Sequence, residues 1–243
     1  MALQHGVRVL SFGSFQEFAK VLSTKDWVHT KNAERYARDF AALGNQSARL
    51  DLARSALQAR VSGKIDAATS YMQQSAYAES GEVVPDVDGI PVVFLHDFFD
   101  SPHVFYDMVF DDFWEWVCFT LDTFQKAGIP VAVKPHPNQI SLSGGVLKDL
   151  VRRYRGVTFL SPRITNRQLA DAGAACAITV YGTVAHEMAF LGVPSIACAR
   201  HPHTSFSFCR TARNRTEYAE MLLSFADQPA SEEQLVHESL MFY

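Results

Sequence analysis

From Pro91 onward the chain repeats one pattern five times: a short apolar run rich in β-branched residues, then a stretch with helical spacing. The runs at 92–95, 131–133, 157–160, 176–180 and 195–199 are too short for helices and lack polar alternation, as strands buried on both faces do. Helical spacing follows at 112–126, 146–154, 166–172, 184–191, 215–225 and 232–240. In the first of these, Phe113, Val117, Leu121 and Phe124 share a face and Gly128 stops the helix. Strands that alternate with helices pair in parallel through crossovers. The expected fold is therefore α/β, a Rossmann-like doubly wound parallel sheet over residues 91–243. No G-x-G-x-x-G follows any of the runs, so no dinucleotide cofactor is expected.

Residues 1–80 have a different texture. A strand is expected at 6–12, ending at Gly13-Ser14, then a short helix at 15–22 and longer ones at 32–43 and 46–61. The last carries Leu50, Ala53, Leu57 and Val61 on one face and ends at Gly63. One strand with three helices cannot build its own sheet domain. The segment is expected to be mainly helical, either a helical extension or the tail of a preceding domain. Residues 81–90, Gly-Glu-Val-Val-Pro-Asp-Val-Asp-Gly-Ile, carry the turn formers of a linker.

Of 243 residues 48% are apolar, enough for a sizeable core, and a formal net charge of -4 gives no general attraction to nucleic acid or to an anionic membrane. No nucleic-acid partner is expected. The four cysteines form no C-x-x-C pair, and three lie in apolar runs, which points to a reducing compartment. The opening residues lack a basic stretch followed by an apolar one, and no run reaches the roughly 18 apolar residues of a membrane span. The expected location is cytoplasmic, with any contact at the inner face of a membrane peripheral.

Chemistry concentrates just past the strands. The sets are His96, Asp97, Asp100 and His103; Lys134, His136 and Asn138; Ser161 and Arg163; Tyr181, Gly182 and Thr183; and Arg200, His201 and His203. All fall on the rim where open α/β sheets bind ligands. In Lys134-Pro135-His136-Pro137 the prolines exclude helix and hold the imidazole on a stiff turn beside a cation, an arrangement suited to phosphate or carboxylate; the plainer alternative is a satisfied strand-end histidine. Gly182 allows close backbone approach. Thr183 is expected to cap the following helix and leave N–H groups for an anion, against plain capping. Glu187, one turn inside that helix, suits a carboxylate bound to ribose hydroxyls, or a charge that merely favours the helix start. His186 reads as a weaker candidate or a surface residue. His96 and Asp97 are candidates for a general base acting on a sugar hydroxyl. A metal set of His96, Asp97 and His103 has no recognised ligand spacing, so none is expected. The aromatic residues between Phe98 and Trp116 are mostly core. Together the turns at Lys134 and Gly182 are read as holding a phosphorylated donor.

Lys134-Pro135-His136-Pro137-Asn138, followed by Tyr181-Gly182-Thr183-Val184-Ala185-His186-Glu187 and by Gly192-Val193-Pro194, resembles the C-terminal half of bacterial capsular and surface polysaccharide synthesis proteins. That group includes the capsule Kdo transferases and is similar in layout to polysialyltransferases, teichoic-acid polymerases and UDP-N-acetylglucosamine 2-epimerases. The match spans roughly residues 90–220. The resemblance implies a metal-independent glycosyltransferase of GT-B architecture, with two Rossmann-like domains facing a cleft. A CMP-, CDP- or UDP-linked sugar is the implied donor and a saccharide or lipid-linked molecule the acceptor, within a membrane-associated assembly complex. By position, His136, Gly182 and Thr183 would hold donor phosphate and Glu187 the ribose. Lys134, Asn138, Ser161, Tyr181 and His203 complete the expected donor set, and His96 and Asp97 are the expected catalytic pair. Residues 1–80 would be a remnant of the acceptor domain; in that layout the base often lies there, and His96 and Asp97 become donor-side residues. The alternatives are a nucleotide-sugar epimerase or polyol-phosphate transferase of the same fold, and a non-catalytic partner in polysaccharide assembly.

Overall fold

The computed structural model of the chain describes residues 2–12, 19–23, 35–64, 81–100, 108–227 and 230–243. Strand β1 (Val9–Phe12) follows a 3-10 turn at Ala2–His5 and pairs antiparallel with β2 (Ala19–Leu22), Val9 opposite Leu22. Residues 19–22 were expected in a helix, and this is corrected. Leu22 is buried while its neighbour Val21 is exposed, the alternation of a strand. The remainder of that expected helix, 15–18, lies outside the described residues. Helices α1 (Arg35–Ala41) and α2 (Gln46–Val61) complete the described N-terminal segment.

The main sheet contains β3 (Pro91–Phe94), β4 (Ala132–Lys134), β5 (Thr158–Phe159), β6 (Cys176–Ile178), β7 (Ser195–Ala197) and β8 (Cys209–Thr211), all parallel, in the order β5-β4-β3-β6-β7-β8. Helices α3 (Phe113–Ala127), α4 (Ser143–Arg153), α5 (Asn166–Asp171), α6 (Val184–Phe190), α7 (Arg215–Leu223) and α8 (Glu232–Phe242) follow the strands. The fold is α/β, a Rossmann-like doubly wound parallel sheet, to which the described N-terminal residues add the β1–β2 pair and helices α1 and α2. The sixth strand was not anticipated. Cys209-Arg210-Thr211 is short and only one-third apolar, and it holds its place as an edge strand paired to β7 alone.

Register decides how the two faces are filled. Val133, Val93, Ile178 and Ile196 stand side by side across four strands and belong to the core formed with α3, α4 and α7. The next row, Ala132, Val92 and Ala177, faces the side covered by α5 and α6. Bulky branched side chains thus meet the aromatic α3, which contributes Phe113, Trp116, Leu121 and Phe124, whereas the smaller row packs with Leu169 of α5 and Met188 of α6. Helix α3 starts where Asp112 accepts the Glu115 N–H at 2.7 Å and stops at Gly128, whose φ of 67° few other residues adopt.

Residues 81–90, read as a linker, lie against this core. Val87 is fully buried, Gly89 N–H donates to the Gly173 carbonyl at 2.9 Å, and Glu82 pairs with Arg163. Helix α2 also belongs to the same body: Leu57 and Val61 are buried with Phe190 of α6 and Leu240 of α8. Among the described residues no helix is long and apolar enough to cross a membrane.

If α2 shares the core, Leu57→Ala will lower stability by about 2–5 kcal/mol, the usual cost of a buried leucine truncation. Denaturant unfolding of the full chain should show its single transition shifted to lower midpoint. A main transition that stays in place would mean that α2 folds as an independent appendage.

Candidate functional site

Reversal of strand order between β3 and β6 leaves a crevice at their carboxyl ends, and a cavity of about 330 Å³ occupies it. Its lining comes from the ends of three strands: His96 and Asp100 past β3, Lys134 to Pro137 at β4, and Thr179, Tyr181, Gly182 and Thr183 past β6. Asn166, Glu187 and His201 close it.

Lys134 is the last residue of β4 and only 3% exposed. Among the described residues its Nζ has one long hydrogen bond, 3.5 Å to the Pro162 carbonyl, and stands 6.0 Å from the Phe94 ring. Burial lowers its pKa to about 8, against the pull of Glu187. An ammonium with three donors and so little protein to bond is a ready partner for an anion in the cavity.

His136 follows on the proline-locked turn. Asn138 N–H donates to its Nδ1 at 3.2 Å, so the proton of the neutral ring sits on Nε2. Burial and then the Lys134 charge depress its pKa, which Asp97 and Asp100 partly oppose. The ring therefore acts as a neutral hydrogen-bond donor. Asn138 serves through its backbone and does not line the cavity.

Across the crevice, Thr179 organises the β6 turn. Its hydroxyl accepts Gly182 N–H at 3.1 Å and meets His96 Nε2 at 3.2 Å, and Tyr181 N–H reaches the same nitrogen at 3.3 Å. A side chain at Gly182 would put Cβ 2.8 Å from that hydroxyl, so glycine is required for the close approach. His96 stacks on Phe113 at 4.9 Å, and burial, with His136 adding to it, holds its pKa down to about 3. Thr183 has helical backbone (φ -59°, ψ -19°) and makes no side-chain cap, which corrects the expected capping role: from that conformation its hydroxyl cannot reach back to the first N–H groups. It is exposed on the cavity rim instead.

Glu187, on α6 at the cavity wall, is 1% exposed. Asn166 Nδ2 donates to one carboxylate oxygen at 3.2 Å, and Arg60 Nε stands 3.0 Å from the other as a charge contact whose N–H is not aligned for a hydrogen bond.

Other expected members lie apart. Asp97 accepts Phe99 N–H at 2.9 Å, Ser143 hydroxyl at 2.8 Å and Ile140 N–H at 2.7 Å, clamping two loops, and is not part of the cavity lining. Burial would raise its pKa, but these donors hold it below the usual value. Ser161 accepts Arg163 N–H within its own turn, away from the cavity. His203 is fully buried behind His201, stacked on it at 3.6 Å; His201 is the histidine that faces the cavity. His186 is buried against Phe242 at 5.1 Å, not on the surface. His103 lies outside the described residues. Among those described, no three His, Cys, Asp or Glu side chains gather as a metal site requires. Asn166 and Arg60 escaped the sequence reading. A signal for the first was present, since Thr165 and Gln168 form the capping box that starts α5.

No family model and no curated protein sequence matches the chain. Among solved structures the fold is similar to KpsC, a beta Kdo 2,4 transferase of Thermosulfurimonas dismutans, at a TM-score of 0.47 and 14% identity. The alignment covers 82% of this chain and 57% of that one.

His186 and His203 generate a pH dependence. Burial lowers the first to about 4, with Glu187 raising and Arg60 lowering it, and takes the second well below its ordinary value, helped by His186. The unfolded chain takes up protons at these groups near pH 6.5, the folded chain only at lower pH. Their stabilisation is therefore complete above about pH 6.5 and lost as pH falls toward about 4. Denaturant midpoints should drop across that window, and His203→Gln should flatten the drop; an unchanged slope would refute the assignment.

Proposed function

We propose that this chain is the donor-binding half of a GT-B glycosyltransferase that transfers a sugar from a nucleotide-activated donor during capsule or surface polysaccharide assembly. The carrying observation is Lys134: a buried ammonium with, among the described residues, one long hydrogen bond, opening on a cavity at the topological switch point. Burying an uncompensated cation costs several kcal/mol, and an anionic ligand offsets that cost. Tyr181, Gly182 and Thr183 face Lys134 and His136 across a space suited to a phosphorylated ligand, and the Lys-Pro-His-Pro and Tyr-Gly-Thr sequences agree with that use.

In this reading Lys134 and the His136 Nε2–H hold the donor phosphate. An acceptor hydroxyl attacks the anomeric carbon, a new C–O bond forms, and the bond from that carbon to the phosphate oxygen breaks. The nucleotide leaves with the electron pair, its added charge stabilised by Lys134, so no metal is needed at the phosphate. Glu187 is assigned to the ribose by its oxygen bound to Asn166, which lies at the cavity wall. His96 and Asp97 are reassigned from base to donor-side support, because their acceptor atoms are taken by Tyr181 and Thr179 and by Phe99, Ile140 and Ser143. The hydroxyl proton goes to a base on the acceptor side, at the cytoplasmic face of a membrane-associated assembly.

Calorimetric titration with CMP, CDP, UDP and their sugars is the test. One nucleotide should bind saturably, about tenfold more weakly after His136→Ala and about a hundredfold more weakly after Lys134→Met. Donor incubated without acceptor should stay unchanged, whereas an epimerase would convert it. A folded chain that binds none of these ligands would sink the reading in favour of a non-catalytic partner.

A further inference from the structure

Helix α2 brings a charge to Glu187, a residue of the cavity wall more than a hundred positions further along the chain. Leu57, Arg60 and Val61 share one helix face at spacings of three and four, so the side that docks α2 on α6 and α8 also carries Arg60 inward. Arg60 is 5% exposed, and its Nε lies 3.0 Å from a Glu187 oxygen. Glu187 and Lys134 both line the cavity.

We propose that Arg60 is a positioning residue of the donor site: by holding the Glu187 carboxylate it draws that negative charge off Lys134 and leaves the ammonium to an anion in the cavity. The inference rests on the donor-site reading above. Among the described residues few charges face Lys134. Glu187 stands on α6 with Arg60 behind it, and His136, on the adjoining turn, is kept neutral by burial, as is His96 beyond it. Asp97 and Asp100 face His136; the first is spent on three donors and the second is exposed to water. Arg60 and Lys134 both act on the Glu187 carboxylate. Remove Arg60, and the Glu187 charge bears more fully on Lys134, so the attraction for phosphate falls.

Inorganic pyrophosphate is the probe, because it reports charge without a ribose contact. Calorimetry on the full chain from pH 6.5 to 9.5 should show wild-type binding that declines as pH rises through about 8, where Lys134 loses its proton. Arg60→Met should bind roughly tenfold more weakly, with the decline moved to higher pH because Glu187 now holds the lysine proton. Arg60→Lys should bind like wild type. The double variant Arg60→Met/Glu187→Gln removes the carboxylate that acts on Lys134 and should recover affinity and pH profile. Glu187→Gln alone should bind more tightly at pH 6.5.

Should Arg60→Met not fold, the comparison of Glu187→Gln with the double variant decides, since loss of Arg60 must reverse the tightening. If Lys134→Met abolishes binding while Arg60→Met matches wild type at every pH, Arg60 is only structural and the donor site stands. If wild type binds neither pyrophosphate nor nucleotide, both ideas fall together.

Discussion

A carboxylate sunk to 1% exposure is the point through which distant parts of this chain are joined. Glu187 cannot stay charged there alone, because leaving a buried ion unpaired costs about 3–5 kcal/mol. Its compensation comes from α2 through Arg60, from α5 through Asn166 and, at longer range, from β4 through Lys134. The N-terminal segment is thereby bound into the site electrostatically as well as by the apolar contact of Leu57 with Phe190. Helix position and cavity charge are two results of one arrangement.

That arrangement depends on the unequal faces of the sheet. Val133, Val93, Ile178 and Ile196 fill one side with branched bulk, while Ala132 and Ala177 leave room on the other. Helix α6 uses this room: Met188 lies in one core with Ala132 and Ala177, and Ala185 and Ala189 in another with Ala197 of β7. A large residue at Ala177 would lift α6 away and draw the carboxylate off Arg60. Core packing and site geometry are in this sense the same problem.

The sheet was readable in the sequence because each buried strand is a short apolar run that helical spacing cannot explain. Strand β8 was not, since an edge strand needs only one neighbour and Cys209-Arg210-Thr211 advertises nothing. At the site, Lys134, His136, Tyr181, Gly182, Thr183 and Glu187 do come together around one cavity, because residues that follow parallel strands emerge on one rim. Sequence could not separate rim residues that face the cavity from those that close their own turns. Asp97 and Ser161 are of the second kind, bonded to N–H groups nearby. His201 and His203 differ by two positions, yet a 3-10 turn at Pro202–Ser205 sends one to the cavity and the other into the core. Arg60 lay furthest from view. Its partner is fixed by tertiary docking, which no local pattern encodes.

Histidines dominate the surroundings of the cavity, but burial keeps His96 and His136 uncharged near neutral pH. A neutral imidazole offers direction and little attraction: His136 presents one N–H on a turn stiffened by Pro135 and Pro137. Attraction is left to Lys134, whose own burial brings its titration down to about 8. A cation so placed has lost most of its water and gains more from an anion than an exposed lysine would, because the cost of its desolvation is already met by the fold. Selectivity then follows from geometry: the ligand must bring its negative charge to one buried point while fitting between two rigid turns.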